Sequence, residues 1–172
     1  MQSIYFVDSN FTYESSKKSI LSIRYATDGF SFCVHDETEK LVVFVHEPYA
    51  ADSREAAVAR LKNYVVNDAI LNLRFKKVYI MPCFKEKLLV PGAFFDKANI
   101  TTLYTVNQEV SSDDTILYHH IEGIEAYLVE TVISSFHDFV REHFPVFQIV
   151  NGAYPFILGA IGKALRDTEQ IF

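Results

Sequence analysis

The stretch Ile20-Leu21-Ser22-Ile23-Arg24-Tyr25-Ala26, Thr27-Asp28-Gly29, Phe30-Ser31-Phe32-Cys33-Val34-His35 decides the architecture. Residues 20–26 alternate, with Leu21, Ile23 and Tyr25 on one face. Residues 30–35 alternate again, with Phe30, Phe32 and Val34 on one face. Successive strand side chains point to opposite faces, so each run reads as a strand that buries one side. Between them Asp28-Gly29 is a hairpin signal, because both residue types tolerate positive φ. Asp36-Glu37-Thr38-Glu39 is a polar turn. Leu41–Val45 is a continuous apolar run, as expected of a strand covered on both faces. The result is a three-stranded antiparallel meander.

On the N-terminal side, residues 1–18 read as a polar arm with one short extended piece at Ile4–Val7. On the C-terminal side, Asp52-Ser53-Arg54-Glu55 fits a capping box with Asp52 as the cap, and Val58, Leu61 and Val65 mark one helical face. Val78–Met81 reads as a buried strand stopped by Pro82, and Leu88–Pro91 as a short extended piece. Thr101–Val106 reads as a strand on its β-branched and aromatic content. Ile116–His119 and Ile124–Val129 are two more strands. A helix is expected over about Glu130–His143, with Val132, Ile133, Phe136 and Val140 as its apolar face and Pro145 as its stop. Phe147–Val150 is a last strand. Asn151-Gly152 turns the chain into a final helix, with Pro155 near its first turn.

No repeat or linker interrupts this order, so residues 19–172 are expected to form a single domain that ends in the C-terminal helix. A meander followed by a helix that crosses to a further strand is the opening of a ribonuclease H-like or actin-like half, an α/β fold with a mixed sheet and helices packed on it.

The pieces Leu21-Ser22-Ile23-Arg24, Asp28-Gly29-Phe30-Ser31-Phe32, and Leu89-Val90-Pro91 followed by Phe94-Phe95 are distinctive as a set. With the spacing to Phe144-Pro145 and the strand after it, they resemble a Bacteroidota family, domain-of-unknown-function family 3822, over about residues 19–160. That resemblance implies an actin-like ATPase fold, related to the ribonuclease H-like superfamily, with no established activity. It also implies a second half of similar architecture in typical members. A chain of 172 residues matches the first half and its connecting helix, as a shortened member or a fragment would.

Such ATPases place a phosphate loop with an Asp-x-Gly-Thr/Ser pattern between the first two strands, where the Asp organises magnesium. Here that position reads Thr27-Asp28-Gly29-Phe30-Ser31, a degenerate version whose matching residues are Asp28, Gly29 and Ser31. The Asp and Gly are adjacent and bulky Phe30 follows. The expectation is therefore no cofactor, the alternative being ATP with magnesium. No Walker motif or glycine-rich fingerprint occurs elsewhere. A ribonuclease H-like nuclease needs converging carboxylates on its first strands, and here the first strand offers Arg24 and no acid. No Gly-x-Ser-x-Gly elbow is present.

His119 and His120 are adjacent, so on a strand they face opposite ways. His137 and His143 lie six apart on a helix. No metal site and no catalytic residue is expected from these spacings. The two cysteines, Cys33 and Cys83, are expected to be free thiols in a reducing compartment.

Net charge is −6 without a basic stripe, which argues against nucleic-acid binding. The N-terminus lacks a signal-peptide pattern and no apolar run is long enough to span a bilayer, so no membrane role and a cytoplasmic location are expected. The function expected is a non-catalytic interaction or scaffold module. The alternatives are a nucleotide-binding actin-like ATPase completed by a second half or partner chain, and a small-molecule binder using the cleft beside Asp28-Gly29. A protein partner or homodimer is expected through Ala153–Phe172, with Tyr154, Phe156, Ile157, Leu158, Ile161 and Leu165 as its apolar residues and Gly159 and Gly162 as points of close approach.

Overall fold

The computed structural model describes residues 2–121 and 123–169, the last six of these by backbone alone. The expectations for the Leu165 side chain and for residues 170–172 lie outside the described residues. In chain order the elements are β1 (Ile4–Val7), α1 (Tyr13–Ser16), β2 (Ile20–Ala26), β3 (Gly29–His35), β4 (Leu41–Pro48), α2 (Arg54–Asn67), β5 (Lys77–Pro82), β6 (Lys87–Pro91), α3 (Ile100–Thr105), β7 (Asp114–Ile121), β8 (Ala126–Ile133), α4 (Ser134–His143), β9 (Phe147–Ile149) and α5 (Tyr154–Glu169). Backbone packing divides them into two compact units. The first comprises the residues up to Phe84 together with Ile133–Val150. The second comprises Lys85–Val132 together with the residues from Asn151 onward.

The first unit carries a six-stranded mixed sheet in the order β1-β4-β3-β2-β5-β9. The meander β2-β3-β4 is antiparallel, while β5 runs parallel to β2 and β9 parallel to β5. The alternating residues fall into register as rows. Val78, Leu21, Val34 and Val43 form one, and Ile80, Ile23, Phe32 and Val45 the next. All eight are at most 3% exposed, and they pack with Ala57, Val58, Leu61 and Val65 of α2 and Phe136 and Val140 of α4 in the buried core. Burying a side chain of this size stabilises by roughly 1.5–3 kcal/mol, so these rows dominate the unit's stability. Tyr25 meets Phe136 at 4.9 Å and Phe30 meets Tyr64 at 4.5 Å between ring centroids.

Within the stretch read as an arm, β1 pairs with β4 from Ile4↔His46 to Val7↔Val43 and forms an edge of this sheet. The helix cap falls one residue later than expected. Ser53, in extended conformation, accepts from the Ala56 amide, so Asp52 is not the cap and the box with Glu55 does not form.

The second unit carries a three-stranded sheet, β6-β8-β7. Its core is Val90, Ile100, Tyr104 and Val129, with Phe95 stacked on Tyr127. Two expectations are corrected here. The run expected as a strand at Thr101–Val106 is the helix α3. Ile100 and Tyr104, four apart, bury on one helical face, and the Tyr104 hydroxyl donates to the Glu86 carbonyl at 2.9 Å. That burial overrides the β-propensity of Ile100-Thr101-Thr102. The helix expected from Glu130 begins only at Ser134. Residues Glu130–Ile133 continue β8, the central strand, where Lys87 pairs with Glu130. A central strand is covered on both faces, so its apolar run mimics a helical face.

Candidate functional site

The degenerate phosphate-loop position lies at the tip of the β2–β3 hairpin. Ala26 pairs with Gly29, so the two loop residues are Thr27 and Asp28, and neither has positive φ. The hairpin turn is thus one residue earlier than the Asp28-Gly29 reading. Gly29 opens β3 with φ +144, and a Cβ there would lie 2.6 Å from the Glu47 carbonyl oxygen. Only glycine combines that backbone with so close an approach of β4.

Strand alternation places Arg24 and Ser31 opposite one another, on the sheet face away from the Leu21 and Ile23 rows. Arg24 reaches back to the turn. Its Nη1 donates to Asp28 Oδ1 at 3.0 Å and its Nη2 lies 3.4 Å from Oδ2. The Arg24 hydrogen bond holds the Asp28 carboxyl below its ordinary range. Ser31 does not join Asp28. Its hydroxyl hydrogen-bonds with His46 Nδ1 at 2.8 Å, one strand over. An open depression of about 520 Å³ lies beside the turn, lined by Thr27, Asp28, Pro48, Tyr49, Ala50 and Ala51. Its Tyr49 ring has the Arg60 guanidinium 5.1 Å from its centroid.

These residues do not fit magnesium and a phosphate chain. The one carboxylate is paired with a guanidinium, the hydroxyl is taken by a histidine, and the glycine is packed against β4. Among the described residues no group of three or more His, Cys, Asp and Glu is placed to hold a metal. Cys33 and Cys83 are free and half-buried, and burial pushes the Cys33 thiol up. No helix among the described residues is long and apolar enough to cross a membrane.

A second polar cluster, missed in the sequence, lies in the second unit. Glu130 is 2% exposed, and its Oε1 has no hydrogen-bond partner among the described residues. His119 Nε2, 3.9 Å away, also lacks one, as does Nδ2 of the fully buried Asn151. His120 faces the other way, toward Glu125. The available signal was an acid set inside the apolar run Leu128-Val129-Glu130-Thr131-Val132-Ile133.

A family model described as "Protein of unknown function (DUF3822)" matches residues 8–172. No curated protein matches the chain. Among solved structures, a Bacteroides thetaiotaomicron protein "with actin-like ATPase fold and unknown function" is similar, with a TM-score of 0.76 and 24% identity. The likeness covers 86% of this chain and 57% of that one, so the chain spans little more than half the length of that neighbour. At this identity the likeness establishes the fold alone, an actin-like α/β architecture.

Proposed function

This chain belongs to the DUF3822 family, and we propose that it acts as a non-catalytic interaction module built on an actin-like half. The observation that carries this reading is the Arg24–Asp28 pair, which occupies the carboxylate at the phosphate-loop position. A carboxylate that organises magnesium must offer its oxygens to the ion and its waters, and a guanidinium competes for the same oxygens. Calorimetry with magnesium and ATP is expected to show no binding heat. ATP turnover above a buffer control, lost on Asp28→Ala, would overturn the reading.

The surface we assign to the partner is the outer face of α5. Phe156 is 79% exposed, and Gly159, three residues on and so on the same helical side, has nothing within 4 Å of where a Cβ would lie. A helix that shows an aromatic next to a glycine lets a second helix approach closely, and a symmetric pair of copies is the simplest occupant. Light scattering over a concentration series is expected to show a dimer that Phe156→Asp disperses. A monomer at high micromolar concentration would remove the homodimer.

The alternative, a nucleotide-binding half completed by a second chain, keeps one supporting observation. The depression beside Asp28 has the volume of a small-molecule site and lies at the phosphate-loop position. The same calorimetry tests it.

A further inference from the structure

We propose that Glu130, His119 and Asn151 form a buried proton-binding site that fastens the start of α5 onto β7 and β8. The site draws together strands and helix from within the second unit. Glu130 comes from the central strand, His119 from β7, and Asn151 from the turn that begins α5. Asn151 fixes that turn, since its Oδ1 accepts from the Ala153 amide at 2.8 Å and its carbonyl accepts from the Tyr154 amide at 3.0 Å. The Tyr154 ring lies 6.5 Å from that of His119.

Glu130 Oε1 and His119 Nε2 face each other with no hydrogen-bond partner among the described residues, and the Asn151 amide approaches Glu130 without a well-formed bond, so the cluster forgoes hydrogen bonds that water would give it. An ionised Glu130 forgoes most. The charged and titratable groups facing it among the described residues are Lys87 of β6, opposite it in register, and His119 of β7, while the turn before α5 contributes the neutral Asn151. Burial pushes Glu130 up to about 7, against the pull of Lys87 and of the Asn151 amide. Burial also lowers His119, which is therefore a neutral imidazole at pH 7. With a proton on Oε1, Glu130 becomes a donor and His119 Nε2 the acceptor, and a small closing of the 3.9 Å gap completes the bond. Without that proton the buried site holds a carboxylate, and the start of α5 must open to let water reach it.

The sign follows from the raised value. The folded site holds its proton to higher pH than an open, hydrated Glu130 would, so the fastening is complete below the ordinary glutamate value, weakens as pH rises from there, and is lost as pH passes through about 7. For one such proton, protection of the first α5 amides falls about tenfold between pH 6 and pH 8. The test is hydrogen exchange of the Tyr154 and Ile157 amides in the full chain at both pH values, corrected for intrinsic rates. It is joined by a carbon-13 titration of the Glu130 carboxyl in the unsubstituted protein. The expected results are the tenfold loss, its disappearance in Glu130→Gln, and a carboxyl titration near neutrality. Equal protection at both pH values, a pH dependence retained in Glu130→Gln, or a carboxyl titrating as an ordinary glutamate would each overturn the proposal. If Glu130→Gln does not fold, the carboxyl titration of the unsubstituted chain decides alone.

Discussion

Arg24 and Asp28 face each other across the tip of the first hairpin, Nη1 to Oδ1 at 3.0 Å, as a partly exposed ion pair. The pair also ties the turn to the sheet face, since Arg24 belongs to β2 and Asp28 to the loop after it.

Because Asp28 is well exposed, the pair contributes little to stability. Asp28→Asn is expected to cost roughly 0.5 kcal/mol or less at pH 7. Its carboxyl is held low in the fold, so the contribution is present above the ordinary carboxylate value and is lost as pH falls through the lowered one. Urea midpoints of the two proteins should therefore converge as pH is lowered from 7 toward 3.

Gly29→Ala is expected to cost more than any change at the turn itself. The added methyl meets the Glu47 carbonyl and the backbone must keep φ +144. Strain of that kind costs roughly 1–3 kcal/mol before the contact is relieved. A loss of at least about 2 kcal/mol in urea denaturation is expected, and Asp28→Ala serves as the small-effect control.

Ser53 and Asp52 separate cleanly. Ser53→Ala removes the acceptor of the Ala56 amide and should destabilise α2 by about 1 kcal/mol. Asp52→Ala should change stability by less than about 0.5 kcal/mol. Thermal melts of the two variants check the placement of the cap, and equal losses would contradict it.

Tyr104→Phe keeps the ring in the core of the second unit but strands the Glu86 carbonyl. The expected loss is about 1–2 kcal/mol. Exchange protection should fall first within Lys87–Pro91 and Ile100–Thr105, which that hydroxyl joins.

The meander was legible because its information is local. Leu21, Ile23, Phe32 and Val34 declare their faces within a few residues of each other, although the two-residue turn, Thr27-Asp28, sits one residue earlier than the Asp-Gly signal places it. The edge strand at Ile4–Val7 was visible as an extended piece, but its partner β4 lies far along the chain, Ile4 opposite His46, where no local pattern reaches. Thr101–Val106 misled because Ile, Thr and Tyr favour strands in isolation, whereas burial of Ile100 and Tyr104 on one face decides the outcome. Glu130 misled because Val132, Ile133, Phe136 and Val140 have helical spacing although a strand ends between the second and third of them. At the candidate site, the partners of Asp28 and Ser31, Arg24 and His46, follow only from how the strands and their turn are placed. The grouping of Asn151 with Glu130 depends on how the turn before α5 packs, which no spacing records.

The neighbours β5 and β9 have a consequence for how the chain is made. They lie side by side in one sheet, yet the whole of Lys85–Val132 is synthesised between them. A ribosome therefore delivers β5 with its outer edge bare and keeps it bare until Phe147–Ile149 emerges. An open parallel edge on a nascent chain is a template for wrong pairing. The interval during which that edge is open to wrong pairing is thus set by the length of the insertion, and lengthening that insertion would prolong the exposure without touching a single contact of the finished sheet.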